Sequence, residues 1–252
     1  TGEVIDIKSV EPLELQKNET YQHIKQDLMF KSLTGAKQRG AGETFFALFC
    51  DSASNASIGD ISIDGKEVEV KGLGARMRGD KGYCAAEAGL KVLQDKLSPY
   101  VSKISSKAGD YNFTGGGLSL NKMLEQIPVE LPPAAGFTTR RDLVHSVFFD
   151  AFKEFYTKLK PDTFNKYKSK IFDSEGLVQR DALEAVAVLQ FDYYKQIAKF
   201  DGIMFFNQKT EKVIYIKTAS EFEKKINLFN FSHFSWGGNE NRSSVHNVTL
   251  EG

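Results

Sequence analysis

Asp60, Glu69 and Lys71 stand close together in the segment Gly59-Asp-Ile-Ser-Ile-Asp-Gly-Lys-Glu-Val-Glu-Val-Lys71. Ile61 and Ile63 alternate with polar residues, Val68 and Val70 do the same, and Asp64-Gly65 lies between the two runs. Asp-Gly between alternating hydrophobics predicts a two-residue hairpin turn, because both positions tolerate positive φ. The turn would pair Ile63 with Lys66, Ser62 with Glu67, Ile61 with Val68, and Asp60 with Glu69. Directly opposed residues on antiparallel strands point to one face, with Cα atoms about 4.5–5.5 Å apart. Period-two alternation adds Lys71 to that face and sends Ile61, Ile63, Val68 and Val70 to the other. Two carboxylates and a lysine are therefore expected to converge on one side of a hairpin anchored by its aliphatic back.

Carboxylates a few ångströms apart repel one another, and a hard divalent cation with oxygen ligands removes that penalty. Magnesium takes one or two protein carboxylates, keeps several waters and accepts phosphate oxygens. A bound cation of this kind lowers the pKa of its water and stabilises charge on a phosphate under attack. Lys71 would orient or help deprotonate the attacking water, or offset charge in the transition state. The chemistry expected of such a face is phosphodiester hydrolysis by in-line displacement.

Gly59-Asp60 followed by Glu69-Val70-Lys71 at the end of an aliphatic strand resembles the D…(D/E)-X-K signature of the PD-(D/E)XK nuclease superfamily. That superfamily includes restriction enzymes, resolvases and repair nucleases. Its members often carry a further Glu on the preceding helix, and Glu43 in Arg39-Gly-Ala-Gly-Glu43 fits that place. A Gly-rich loop, a helical Glu, an Asp and a Glu-X-Lys in this order are loosely similar to the MutH-like branch. The resemblance spans residues 37–80. It implies a metal-dependent DNA endonuclease with catalytic Asp60, Glu69, Lys71 and Glu43. Magnesium, with manganese as a substitute, would be held by Asp60, Glu69 and Glu43, in a restriction-endonuclease-like αβββαβ core. Two features depart from the pattern: Gly59 stands where the motif's name puts Pro, and the sequence offers no strand between Glu43 and Asp60. An alternative for Glu43 is a helix-start carboxylate stabilised by the helix dipole. Glu67 shares the polar face but is expected to be an ordinary surface charge.

Basic residues flank the segment. Lys37 and Arg39 precede Glu43 in a Gly-rich loop, and Arg76 and Arg78 follow Lys71 in the loop 72–82, both placed to meet a phosphate backbone. Lys158, Lys160, Lys166, Lys168 and Lys170 interleave with Phe164 and Tyr167. This run is either a DNA-contacting arm or a solvated helix end with two core aromatics, and the second explanation is preferred. His23, His145, His233 and His246 form no local ligand pair. Gly115-Gly116-Gly117 lacks the Lys-Ser/Thr of a P-loop and is expected to be a hinge.

These residues need a scaffold, and the 252-residue chain has ordinary globular material for one, with 41% hydrophobic residues and 20 Phe. Acidic and basic residues balance at 33 each, so any nucleic-acid surface must be a local patch. Cys50 and Cys84 are too few for a disulfide framework and lack zinc-site spacing. No stretch has the apolar length of a membrane span, and the first residues lack a signal-peptide layout, so a soluble intracellular protein without a membrane partner is expected. A strand is expected early in 3–15, and a helix over 19–33 capped by Asn18. A short helical segment follows over 43–50, then a polar turn region over 51–57 and a helix over 83–97. Further helices are expected over 119–127, from Thr138 or Thr139 onwards with Leu143, Val147, Phe148, Phe152, Phe155 and Leu159 as its buried stripe, and over 180–200. Strands are expected at 203–207, 213–217, 228–236 and 245–250. Together these give a mixed α/β (α+β) fold in a single domain: a catalytic hairpin region at 37–97, a helical insertion at about 98–200 and C-terminal strands at about 201–252. The insertion would shape a DNA cleft or supply a homo-oligomer contact. The rival to cleavage is a non-catalytic nucleic-acid-binding or structural protein, as in a viral or mobile-element assembly, that retains the nuclease fold.

Overall fold

The computed structural model describes residues 2–30, 42–49, 53–56, 58–78, 86–102, 104, 108–114, 118–132, 136–154, 156, 158–236 and 244–251. Lys37, Arg39, Cys50, Cys84 and the Gly115–Gly117 run lie outside them, as do residues 31–33 of the first long helix. The chain opens with β1 (Val4–Asp6), α1 (Ile7–Val10), α2 (Leu13–Gln16), α3 (Glu19–Phe30) and α4 (Glu43–Phe49). Then come β2 (Ala53–Asn55), β3 (Ile61–Ile63), β4 (Lys66–Lys71), β5 (Ala75–Arg78) and α5 (Ala86–Leu97). A 3-10 turn (Ala108–Tyr111) leads to β6 (Phe113–Thr114), α6 (Leu118–Leu124), α7 (Arg140–Lys153), α8 (Pro161–Ile171) and α9 (Ala182–Ala198). The chain ends with β7 (Gly202–Asn207), β8 (Lys212–Ile216), α10 (Ala219–Lys224), β9 (Phe229–Asn230), β10 (His233–Ser235) and β11 (Ser244–Leu250). This is the mixed α/β class expected from the sequence. No described helix is long and apolar enough to cross a membrane.

The chain divides into two compact units, one comprising Thr1–Ala75, Tyr194–Asn230 and Asn247–Gly252, the other Arg76–Tyr193 and Phe231–His246. The first unit is built on a six-stranded sheet in the order β1-β8-β7-β4-β3-β2. β4 and β7 run parallel and every other pairing is antiparallel. On one face Ile61, Val68, Val70, Phe206 and Val213 pack with Met29 of α3 and with Phe45 and Phe46 of α4. The opposite face carries Phe205, stacked on Phe222 of α10 at 5.5 Å and edge-on to Phe229 at 4.8 Å. Asn18 starts α3 as expected, its Oδ1 accepting from Tyr21 N at 2.9 Å.

The predicted hairpin forms. Asp64 and Gly65 take φ of 51° and 73°, the double positive-φ turn that matches strand twist, and the register pairs Ile63 with Lys66, Ser62 with Glu67 and Ile61 with Val68. Two local expectations are corrected. The polar turn region before the hairpin contains β2, whose Ala53, Ser54 and Asn55 pair with Ile63, Ser62 and Ile61. Ala-Ser-Asn has no alternation of its own, and only the ladder offered by β3 makes it a strand. The loop expected over 72–82 contains β5, Ala75–Arg78, whose Met77 is fully buried.

β5, β11, β10 and β6 form a second sheet. Phe113 and Phe234 on its inner side lie 5.8 Å apart, and Phe152 of α7 packs against Trp236 at 5.0 Å. The indole N–H of Trp236 donates to Tyr111 O at 2.7 Å, so the largest buried ring leaves no polar atom unsatisfied. Thr139 is the cap of α7, and Leu143, Val147, Phe148 and Phe152 are the buried stripe; Phe155 lies outside the described residues. The single strand expected over 228–236 is split into β9 and β10, and the break coincides with Asn247 on their shared partner β11 adopting φ 53°.

Candidate active site

The site is assembled at the entry to β3. Gly59 holds φ +81°, and a Cβ there would lie 2.9 Å from Val68 O, so this position tolerates neither a larger residue nor the fixed negative φ of proline. The glycine is thus a requirement of the local path. Leaving that turn, Asp60 donates its N–H to Val68 O at 3.0 Å, one residue short of the partner expected from the hairpin register. Its side chain reaches across instead, Oδ2 accepting from Val70 N at 2.7 Å. The expected Asp60–Glu69 pairing is therefore displaced, because the left-handed glycine turns the chain just before the ladder begins.

On β4, Lys71 Nζ lies 2.5 Å from Glu69 Oε1, and the two side chains keep 15% and 16% exposure. Alternation makes them neighbours on one face, two residues apart. Burial works against the Lys71 charge, but Glu69, Tyr194 and Asp60 outweigh it and hold the ammonium pKa above its ordinary value. Asp60 moves the other way, up from 3.8 to about 7. Burial is the first cause and Glu69 the second; the bond from Val70 N opposes them, Glu43 adds to the rise, and Lys71 lowers it. Asp60 thus feels Glu69, Glu43 and Lys71 together.

Glu43 is the first residue of α4 and half-buried, so it also occupies the helix-start position offered as its alternative role. Glu67 has structural work: Oε2 accepts from Ile58 N at 3.1 Å, and its own N–H donates to Asp201 Oδ2 at 2.8 Å. Arg76 is exposed on β5, in the second unit, and with burial it pulls His233 below the ordinary histidine range. Arg78 belongs to β5, but its side chain is outside the described set, as Lys37 and Arg39 are altogether.

Two groupings were not legible in the sequence. Tyr194, on the last turns of α9, comes into electrostatic reach of Lys71 only because α9 leads into β7, the parallel neighbour of β4. His233 and His246, which form no pair along the chain, are opposed on β10 and β11 with rings stacked at 4.3 Å.

Among the described residues, no three His, Cys, Asp or Glu side chains form a group that holds a metal ion by itself. The donor set around Asp60 nevertheless suits a hard cation, which needs only one or two protein carboxylates with water and phosphate oxygens. All its donors are carboxylate oxygens, and their mutual repulsion is already registered in the raised Asp60 pKa. Compared with protein-family models, curated proteins and solved structures, the chain matches none.

Proposed function

We propose that this chain is a metal-dependent DNA endonuclease that hydrolyses phosphodiester bonds at Asp60, Glu69 and Lys71, with Glu43 in support. The observation that carries the reading is the half-buried cluster at the open end of the β3–β4 hairpin, where Asp60 is pushed to about 7 by burial and by Glu69 and Glu43 while Lys71 stays cationic. The element order also supports it. If β5, α5, β6 and α6–α8 are set aside as an insertion, the helix carrying Glu43, antiparallel β2, β3 and β4, helix α9 and strand β7 parallel to β4 are compatible with the αβββαβ order that the resemblance implies.

Asp60 and Glu69 would hold the cation, Mg2+ with Mn2+ as a substitute, and Glu43, whose charge is felt by Asp60, would join them as a ligand once the ion draws it in. When bound, such an ion supplies positive charge at the phosphate and a more acidic water. Lys71, with its pKa raised, acts as a hydrogen-bond donor and positive charge rather than as a base. It would orient the attacking water and offset charge gathering on the phosphate oxygens.

One observation favours the rival, a nucleic-acid-binding protein that does not cleave: Lys71 already neutralises Glu69 within the folded chain. The deciding experiment incubates the protein with supercoiled plasmid, linear duplex, single-stranded and branched DNA, with and without Mg2+ or Mn2+. Divalent-dependent cleavage that Glu69→Gln and Lys71→Met abolish supports the endonuclease. DNA binding with no cleavage by the wild type selects the rival.

A further inference from the structure

Lys71 stands where both neighbouring ladders run out. The pairing of β4 with β3 ends at Val68 and Ile61, and its pairing with β7 ends at Lys71 and Phe205. After Lys71 the chain turns, Ala75 N donating to Gly72 O at 3.1 Å. Two side chains hold this stretch of main chain. Asp60 Oδ2 accepts from Val70 N at 2.7 Å, and Gln208 Oε1 accepts from Leu73 N, also at 2.7 Å. Lys71 thus lies between two anchored peptides, one fastened from the start of β3 and the other from the turn after β7.

Gln208 is itself held in place. β7 ends at Asn207, whose Oδ1 accepts from Lys209 N at 3.0 Å and Thr210 N at 3.3 Å, an Asx-type turn that carries the chain into β8. Asn207 Nδ2 donates to Leu250 O at 2.7 Å. At the far end of the turn, Glu211 O accepts from Ile7 N at 2.9 Å, and the Glu211 carboxylate pairs with the buried Lys25. Where the ladder stops, the Gln208 side chain, only 6% exposed, supplies the acceptor that the Leu73 N–H needs.

We propose that Gln208 is a positioning residue for the Lys71 ammonium, acting through its hydrogen bond to Leu73 N and touching neither metal nor DNA. The proposal rests on the endonuclease reading above, in which Lys71 orients the attacking water. A lysine on the last residue of a strand shares the freedom of that strand's end unless the peptides on both sides of it are tied. Asp60 ties the side before Lys71 and Gln208 the side after it. A displacement of about 1 Å in such a group costs up to about a hundred-fold in rate, while substrate binding, made elsewhere, is kept.

The test uses the full chain and supercoiled plasmid at a series of concentrations with Mg2+, well below the thermal midpoint of every variant. Gln208→Met removes the acceptor at similar length, and Gln208→Asn withdraws it by one methylene. Each should lower kcat about ten- to a hundred-fold and leave KM within about two-fold of wild type. Gln208→Glu keeps an oxygen at the same reach and should retain most of the rate. Val147→Ala, a core truncation in α7, is the stability control and should keep the wild-type kcat. Amide hydrogen exchange at Leu73 should speed up in the Met and Asn variants and stay slow in the Glu variant.

Wild-type kcat in the Met and Asn variants overturns the proposal, as does a loss of rate that Val147→Ala reproduces. A raised KM at unchanged kcat also overturns it, by making Gln208 a DNA-binding residue. So does a Gln208→Glu variant as slow as Gln208→Met, or exchange at Leu73 that none of the substitutions alters. The endonuclease reading fails by a different result, a wild type that leaves DNA intact with Mg2+ while Leu73 exchange still answers to Gln208, and this role falls with it.

Discussion

Asp60 Oδ2 accepts a hydrogen bond from Val70 N at 2.7 Å, so a side chain from the start of β3 is fastened to the peptide that separates Glu69 from Lys71. That bond favours the ionised carboxylate, yet burial and the neighbouring carboxylates win, and the Asp60 pKa rises to about 7. Three charged side chains are thereby fixed to one short length of β4.

The sign of the pH dependence follows from that rise. Asp60 binds its proton more tightly in the folded chain, at about 7, than at its ordinary value of 3.8. Its stabilising contribution is full below the unfolded value and is lost as pH climbs through the folded one. Asp60→Asn should remove this decline, so urea midpoints of the variant should gain on wild type at about pH 8 relative to about pH 5. A constant difference between the two proteins across that window contradicts the raised pKa.

A cation bound at the carboxylates as proposed would compete with that proton. Millimolar Mg2+ should raise the thermal midpoint of the wild type more at about pH 8 than at about pH 5.5, and should not move Asp60→Asn. At a hundred times its Kd the ion adds about 2.7 kcal/mol, well within calorimetric reach. Equal shifts in both proteins would place the ion elsewhere.

Glu69 and Lys71 depend on each other. Lys71→Met leaves a half-buried Glu69 beside Asp60 and should cost about 1–3 kcal/mol, and Glu69→Gln a similar amount. The double substitution should cost less than the sum, with a coupling of about 0.5–3 kcal/mol from urea denaturation. If the chain cleaves DNA as proposed, each single variant should also lose at least about a hundred-fold in rate.

Gly59 offers a test of the local path. Gly59→Ala combines a φ of +81° with a Cβ 2.9 Å from Val68 O, and should cost about 1–3 kcal/mol of stability while disturbing Asp60. Stability equal to wild type in a urea titration would show that the chain before β3 can take another course.

Away from the site, Lys25 is completely buried, 2.6 Å from Glu11 Oε1 and also paired with Glu211. Lys25→Met strands two buried carboxylates and should cost about 3–5 kcal/mol. Adding Glu11→Gln and Glu211→Gln should recover most of it, because the unpaired charge and not the lost lysine causes the damage. A triple variant as unstable as the single one would refute that account.

The amino-acid sequence by itself determined what depends on neighbours along the chain. The Asp64-Gly65 turn, the register of Ile61 with Val68, the Asn18 and Thr139 caps and the apolar stripe of α7 each follow from dihedral preference or short-range periodicity, and each formed. Tertiary structure alone decided the rest. β2 exists only because β3 offers it a ladder, β5 buries Met77 where a loop was expected, and Tyr194 meets Lys71 because β7 runs parallel to β4. The Asp60 carboxylate was legible as a residue on the right hairpin but not in its bond to Val70, which hangs on a left-handed glycine. Hydrogen-bond partners and burial depend on residues far apart in sequence, whose meeting is fixed by global packing and by no local propensity.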